Sequence, residues 1–224
     1  METMINEELR SAWDFVEHTG RSIFLTGKAG TGKTTFLKRV VEESKKRIIV
    51  VAPTGVAAIN AGGMTIHSFF QLPFAPFVPN AQIKSKFDFS KEKRRIIASL
   101  DLLIIDEISM VRSDLLDAID VVLRRFKNRY LPFGGVQLLM IGDLQQLTPV
   151  VTPEDERLLA PFYDTPYFFG SKALQQIEYV TIQLEKVYRQ EDDVFISVLN
   201  HIPNLLVQVS SVSHINVNSS EVCA

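Results

Sequence analysis

Residues 27–34 read GKAGTGKT, and this stretch decides the fold of the chain. It matches the phosphate-binding loop pattern G-x-x-x-x-G-K-[ST]. An apolar run at 23–25 precedes it, and a helix-compatible run at 35–43 follows it. A phosphate site needs this order of strand, glycine loop and helix, because backbone N–H groups and the positive end of the helix attract an anion. A glycine-rich turn without a ligand is the alternative, and it leaves the flanking strand and helix unexplained.

Two side chains of this loop have a defined chemistry in such sites. The ammonium group of Lys33 would reach the β- and γ-phosphates of a nucleotide, and the hydroxyl of Thr34 would ligate Mg²⁺. The loop therefore predicts a nucleotide site that uses a divalent cation.

An acidic pair follows another apolar run. Asp106 and Glu107 come directly after Leu102–Ile105. Ligands of open α/β sheets bind at the carboxyl ends of strands, so Asp106 is placed to hold Mg²⁺ and Glu107 to polarise an attacking water. The alternative is a strand-to-helix turn with two solvated carboxylates, but the phosphate loop upstream favours the functional role.

Two more polar residues are candidates for contacts to the γ-phosphate. Gln146 follows the apolar run 137–141, and its neutral amide would bond the phosphate or the attacking water. The guanidinium of Arg189 would reach the same phosphate. Taken locally, the pattern does not decide between this role and a plain loop glutamine for Gln146, and a lone arginine such as Arg189 is more often a surface charge.

The composition is that of a soluble globular domain. The 224 residues are 46% hydrophobic and 22% charged, with a net charge of −2, so any nucleic-acid surface would be a local patch. The single cysteine, Cys223, excludes an internal disulfide framework and fits a reducing compartment. The acidic start is no signal peptide, and the apolar runs are too short for a bilayer. We expect a monomeric cytoplasmic protein that does not enter membranes.

Short apolar runs alternate with helical stretches along the chain. Their continuous apolar character is typical of parallel strands that helices cover on both faces. The alternation predicts an α/β domain with a mostly parallel β-sheet flanked by helices. The predicted strands are 23–25, Ile48–Ala52, Leu102–Ile105, 137–141 and, as a fifth candidate, Tyr179–Leu184.

Two helices are well delimited by sequence. Asn6 caps a first helix that ends at Gly20. The clearest amphipathic stretch is Ser113–Phe126, for which Ser113 is the predicted cap.

Two segments depart from this alternation. Residues 71–90 contain three prolines and four phenylalanines, which predicts a long surface loop. Residues 203–224 carry one charged residue, Glu221, and no helical or strand periodicity. We therefore divide the chain into a domain at residues 1–202 and an atypical tail at 203–224 that we expect to be poorly packed.

The motifs together resemble superfamily 1 DNA helicases of the PIF (petite integration frequency) type, the 5′-to-3′ branch. The resemblance covers about residues 5–202 and implies a P-loop NTPase with a RecA-like fold. Residues 106–135 resemble the signature that separates this family from its relatives. The matching stretches, in the family's order, are GKAGTGKT (27–34), APTGVAA (52–58), TIHSFF (65–70), IIDEISMV (104–111), FGG (133–135), GDLQQLTPV (142–150) and VYRQEDDVFISVLN (187–200).

This resemblance implies a function and a set of roles. ATP and Mg²⁺ are the implied cofactors, and the implied activity is ATP hydrolysis coupled to 5′-to-3′ movement along single-stranded DNA, with roles in DNA repair and telomere maintenance. The implied partners are single-stranded, forked or structured DNA. Thr34 and Asp106 become the metal residues, and Glu107, Gln146 and Arg189 become catalytic. The implied ATP-binding residues are Gly27, Ala29, Gly30, Thr31, Gly32, Lys33, Thr34 and Thr35.

The resemblance also implies where DNA would lie. Single-strand binders combine backbone contacts with aromatic stacking, and the stretch Pro53, Thr54 and Gly55 offers hydroxyl and N–H groups to phosphates. His67 and Phe69 would stack a base, although core packing is the alternative for one of Phe69 and Phe70. Two interpretations of one basic stretch are equally good, a solvated helix face and a DNA-facing surface. The stretch contains Lys84, Lys86, Lys91, Lys93, Arg94 and Arg95.

The chain departs from the family pattern at two places. Relatives often carry an adenine-reading glutamine ahead of the first strand, whereas residues 6–10 read NEELR here. After Asn200 the family continues into a second RecA-like lobe, which this sequence lacks. We therefore expect a truncated or frame-disrupted product, or a fragment.

Two rival functions remain open at this point. One is a nucleotide- and DNA-binding fragment without helicase turnover, which the missing lobe favours. The other is a P-loop ATPase of another family, such as a transport or signalling ATPase, against which the GDLQQLTPV and FGG stretches argue.

Overall fold

The strands form one all-parallel sheet. The computed structural model describes residues 6–79 and 89–188. The strand order is β3-β2-β4-β5-β1-β6, and every neighbouring pair is parallel. The sheet and its phosphate loop make a RecA-like P-loop fold, which confirms the predicted α/β class. The strands are β1 (Ser22–Gly27), β2 (Ile48–Ala52), β3 (Met64–Thr65), β4 (Leu102–Ile105), β5 (Gln137–Gly142) and β6 (Tyr179–Leu184).

Helices connect the strands and cover both faces of the sheet. They are α1 (Glu7–His18), α2 (Lys33–Glu43), α3 (Gly55–Asn60), α4 (Ile66–Phe70), α5 (Lys91–Ser99), α6 (Ser113–Phe126) and α7 (Pro153–Leu159). Short 3-10 turns lie at Ile108–Met110, Pro132–Gly135, Phe168–Gly170 and Leu174–Gln176. Among the residues that the structure describes, no helix combines the length and the apolar character needed to cross a membrane.

Alternate residues of the central strands pack into two separate cores. Along β4, Leu103 and Ile105 join the core beneath α6, whereas Leu102 and Ile104 join the core beneath α1 and α2. All four residues of β4 are buried, as are all six of β5. A strand buried on both faces reads as a continuous apolar run, which is why these strands were predictable.

The structure corrects two predicted helix boundaries. The N-cap of α6 is Arg112, in extended conformation, and Ser113 is the first helical residue. The Ser113 hydroxyl instead donates to the carbonyl of Thr165 at 3.1 Å. Helix α1 is capped by Asn6 as predicted, but its C-cap is Thr19 rather than Gly20.

The predicted surface loop at 71–90 is described only in part. Residues 71–79 contain no helix or strand, in line with the prediction. However, Leu72 and Phe89 are buried in the core beneath α6, so these parts of the segment do not lie on the surface. Residues 80–88 and the tail at 203–224 lie outside the described residues.

Candidate nucleotide site and nucleic-acid surface

The phosphate loop ends at a helix N-terminus without a side-chain cap. Gly32 is the N-cap of α2 and has φ 94°, a left-handed conformation that favours glycine. Helix α2 begins at Lys33, earlier than the predicted start at 35, and Thr34 is exposed in its first turn. Glycine has no side chain that could accept hydrogen bonds from the N–H groups of the first turn. These groups are therefore left for a phosphate.

The side chain of Lys33 folds back into the loop. Its ammonium group donates to the carbonyl of Gly27 and, at 3.0 Å, to that of Lys28. Burial lowers the pKa of Lys33, while the carboxylates of Asp143, Glu107 and Asp106 act in the opposite direction. The charges of carboxylates at the ends of β4 and β5 therefore act on one half-buried cation.

The acidic pair lies at the end of β4 in an unusual backbone conformation. The N–H of Asp106 donates to the carbonyl of Val51 in β2 at 2.9 Å. Glu107 has φ 52° and ψ 45°, a left-handed conformation that costs a non-glycine residue free energy and is typical of functional sites. Burial and the charge of Glu107 raise the pKa of Asp106 to about 6. A bound cation would offset this penalty by favouring the charged form.

The end of β5 approaches this pair closely. A Cβ atom on Gly142 would lie 2.9 Å from Cγ2 of Ile108 and 3.1 Å from the backbone nitrogen of Ser109. Any larger residue at position 142 would require these neighbours to move. The close approach brings the end of β5, and with it Asp143, to the acidic pair. Asp143 is 7% exposed and accepts hydrogen bonds from the N–H of Gln145 at 2.9 Å and from the side-chain amide of Gln146 at 3.3 Å.

The sequence interpretation missed two residues of this site. Asp143 carries the same signal as Asp106, an acid directly after a buried strand, and could have been found by it. Tyr188 lay beside the candidate Arg189, without any signal of its own. Its N–H donates to the carbonyl of Gly30 at 2.9 Å, and its ring lies 3.8 Å from where a Cβ of Gly32 would stand. Arg189 itself lies outside the described residues.

The donor set fits a magnesium ion that is held partly by a nucleotide. In residues 6–79 and 89–188, no group of three His, Cys, Asp or Glu side chains could hold a metal ion alone. Mg²⁺ in phosphate sites typically takes one or two carboxylates, substrate phosphates and waters. Thr34, which follows Lys33 in α2, and Asp106, whose charge acts on Lys33, offer a hydroxyl and a carboxylate for such an ion.

The stretch predicted to hold the DNA backbone lies at the carboxyl-end edge of the sheet, where the acidic pair also lies. Pro53, Thr54 and Gly55 follow β2, the neighbour of β4. The Thr54 hydroxyl oxygen accepts from the N–H of Ala57 at 3.2 Å and so caps α3. Gly55 is exposed, and a Cβ on it would meet open space, so its backbone is accessible.

The structure does not support a stacking role for Phe69. Its side chain is 4% exposed, and its ring packs edge-on against Phe70 at 4.8 Å between centroids. This ring belongs to the core, as does that of Phe70, so the core-packing alternative that the sequence left open for one of the two holds for both. The ring that stacks on the half-buried His67 is Phe74, with centroids 4.7 Å apart.

Comparisons with known proteins agree with this geometry. The family model of the PIF1-like helicases matches residues 4–209. The chain is 38% identical over 187 residues to the ATP-dependent DNA helicase PIF1 of Saccharomyces cerevisiae (strain YJM789), covering 81% of the chain and 21% of that protein. It is 40% identical over 187 residues to the Homo sapiens PIF1, covering 80% of the chain and 27% of that protein.

A solved structure shows the same relationship. The Pif1 helicase from Bacteroides, in complex with ADP-AlF3 and single-stranded DNA, superposes with a TM-score of 0.84 at 45% identity. The match covers 91% of this chain and 47% of that one. The chain thus spans between about a fifth and a half of the length of these relatives. Over nearly all of its own length it has their sequence motifs and their fold, and it belongs to the PIF1-like helicase family.

Proposed function

We propose that this chain is the nucleotide-binding lobe of an ATP-dependent 5′-to-3′ DNA helicase. The observation that carries the proposal is the phosphate loop itself, which ends at the uncapped N-terminus of α2 and holds the half-buried Lys33, while the charges of Asp143, Glu107 and Asp106 act on that ammonium group. A cation in a loop of backbone amides, with acids across from it, is what phosphoryl transfer from a nucleotide requires. The related Bacteroides Pif1 was crystallised with a nucleotide analogue and single-stranded DNA, which supports ATP and a single strand as ligands.

The geometry suggests how the residues would divide the work. Lys33 and the loop amides would hold the β- and γ-phosphates, while Thr34 and Asp106 would hold Mg²⁺, which neutralises charge on the phosphates. Glu107 would take a proton from the attacking water, and Gln146 would orient that water or the γ-phosphate. Arg189 would add a guanidinium to the same phosphate.

The DNA would run across the carboxyl ends of β2 and β3. Pro53, Thr54 and Gly55 would hold the backbone, and His67 would contact a base. We propose single-stranded, forked or structured DNA as the partner, and ATP hydrolysis as the source of 5′-to-3′ movement. The monomeric state, the cytoplasmic location and the roles in DNA repair and telomere maintenance stay predictions.

A second candidate is a nucleotide- and DNA-binding module without helicase turnover. It applies to the 224 residues taken alone, which cover 21% and 27% of the two curated relatives. Unwinding needs two lobes that close and open on the strand in turn, and an arginine supplied from across a cleft contributes about 10³–10⁵ in rate at related sites. One lobe alone would bind its ligands and turn over slowly.

Steady-state ATPase and unwinding assays separate these candidates. For the purified 224-residue chain we expect weak, salt-sensitive binding to single-stranded DNA, near-background ATPase and no unwinding of a 5′-tailed duplex. Joining a PIF1-type second lobe after Asn200 should restore both activities. Robust unwinding by the chain alone would contradict the single-lobe architecture. A two-lobed protein whose ATPase ignores DNA would count against the helicase assignment.

A further inference from the structure

One large aromatic side chain stands out from the surface next to the DNA motifs. Phe74 is 86% exposed, and its neighbours Pro73 and Ala75 are exposed too. Its ring stacks on the imidazole of His67 with 25° between the planes. Since His67 covers one face of the ring, the exposed area belongs to the other face and the edge. The two rings make a flat platform with one open side.

The loop that carries this ring is fixed before and after it. Leu72 is buried, and its N–H donates to the carbonyl of His67 at 3.1 Å. On the other side, the N–H of Phe77 donates to the carboxylate of Asp114 at 2.9 Å, and the Phe77 ring packs against the core. Phe74 is therefore held outward by its loop, so a ligand would lose less entropy in ordering it.

The anchoring carboxylate is itself immobilised. Asp114 is 1% exposed, in the first turn of α6. The guanidinium of Arg112 donates two hydrogen bonds of 2.8 Å to its two oxygens and a third, of 3.2 Å, to Asp155 of α7. A paired and hydrogen-bonded buried carboxylate keeps one position, so the acceptor for the Phe77 N–H is fixed as well.

A lysine contacts the backbone of Ser68, the residue that follows His67 in the chain. The ammonium group of Lys93 in α5 donates to the carbonyl of Ser68 at 3.3 Å and lies 5.1 Å from the centre of the Phe69 ring. Arg94 and Arg95 of the same helix are exposed. An open aromatic face together with cations on a neighbouring element is a combination that binds a single strand, since the ring takes a base and the cations take phosphates.

We propose that Phe74, backed by His67, stacks an unpaired base of single-stranded DNA, and that Asp114 positions the loop for this contact. The inference rests on the proposed DNA-binding function and deepens it. It assigns to Phe74 the base-stacking role that the sequence had suggested for Phe69. It also assigns the basic helix α5 a DNA-facing role through Lys93.

Anisotropy titrations of the purified chain with a fluorescein-labelled oligothymidylate at low salt test the base contact. Phe74→Ala should weaken binding about tenfold, Phe74→Leu by a similar factor, and Phe74→Tyr should bind like the wild type, because stacking needs the ring rather than its bulk. Tyr130→Ala is the matched control, since Tyr130 is 74% exposed and is not part of the platform. All four variants should bind a fluorescent ATP analogue normally.

Asp114→Asn tests the positioning role without changing the size of the side chain. It should weaken DNA binding about threefold in the wild-type background and not at all in the Phe74→Ala background, since the loop then carries no ring to position. Equal losses in both backgrounds, or none in the first, would overturn the role of Asp114.

The outcomes also separate this inference from the proposed function. If the wild-type chain binds no single-stranded DNA, the DNA part of the proposed function is wrong. If it binds and Phe74→Ala binds equally well, only the stacking contact is wrong. A Phe74→Ala chain that keeps its DNA affinity but loses self-association would assign the ring to a protein contact instead.

Discussion

The side-chain amide of Gln146 donates a hydrogen bond to the carboxylate of Asp143 at 3.3 Å, and among the three acids that raise the pKa of the half-buried Lys33 this carboxylate acts most strongly. Asp143 thus interacts with the candidate γ-phosphate sensor and also acts electrostatically on the cation of the phosphate loop. A nucleotide brings its own negative charge to Lys33 and so competes with Asp143 for it. The Gln146 amide would then leave the Asp143 carboxylate and donate its hydrogen bond to the phosphate.

Replacement of Asp143 by asparagine should therefore act in opposite directions on the free and the bound protein. Without the carboxylate, Lys33 loses an anionic neighbour, and the melting temperature should fall by about 2–4 °C. The phosphates of a nucleotide no longer meet a like charge, so affinity should rise about threefold or more. Thermal melts and titration with a fluorescent ATP analogue measure the two effects. Asp164→Asn, at an exposed position, is the control. Weaker nucleotide binding by Asp143→Asn would contradict this account.

Removal of the loop cation should have the opposite effect on binding. Lys33→Ala eliminates the charge that would meet the β- and γ-phosphates, while the backbone amides of the loop remain. The affinity for the ATP analogue should fall at least tenfold, or by about 1.4 kcal/mol. Lys38→Ala, an exposed lysine on the same helix, should bind normally. Unchanged affinity of the Lys33 variant would remove the central argument for a nucleotide site.

The sequence was sufficient for the parts of the fold that local patterns encode. Strands β2, β4 and β6 have the predicted bounds. For β4 the reason is that a strand buried on both faces appears as an uninterrupted apolar run. The phosphate loop was predictable because its spacing is fixed by the ligand. These features depend on a few neighbouring residues and on little else.

The aromatic residues show where sequence reasoning stops. Phe69, Phe70 and Phe74 are alike in sequence terms, yet the first two are buried and the third is exposed. Whether each ring is buried or exposed depends on Gln71, whose left-handed conformation ends α4, and on the distant Asp114, which accepts a hydrogen bond from the N–H of Phe77 in the following loop. The bond from the Phe77 N–H to Asp114 joins residues 37 positions apart in the chain, so no local pattern predicts it.

A surface ion pair leads to a prediction about acid stability. The guanidinium of Arg47, at the start of β2, donates two 2.7 Å hydrogen bonds to Asp101, just before β4. These bonds lower the pKa of Asp101 from 3.8 to about 2. A carboxyl with a depressed pKa in the folded state stabilises the protein above its unfolded pKa, and this contribution disappears as the pH falls from 3.8 towards 2.

Asp101→Asn should accordingly lower the melting temperature at neutral pH by less than about 3 °C, since exposed pairs contribute little. The difference from the wild type should shrink as the pH falls through this window and should also shrink in high salt. Melting curves over a pH series measure it. A difference that stays constant down to the lowest pH would mean that the pair does not titrate as the geometry indicates.

The catalytic base can be separated from the binding residues by a single isosteric change. Glu107→Gln keeps the size of the side chain and leaves Lys33, Thr34 and Asp106 in place, so nucleotide affinity should change by less than about threefold. It removes the group that would take the proton of the attacking water, so ATP hydrolysis by a two-lobed protein should fall by roughly 10²-fold or more. Single-turnover hydrolysis together with analogue binding distinguishes the two effects, and Glu154→Gln, at an exposed position, is the control. Normal hydrolysis by the Glu107 variant would mean that another residue is the catalytic base, and Asp143 is the next acid in the site. Lost binding would instead show that the left-handed backbone at Glu107 depends on its carboxylate.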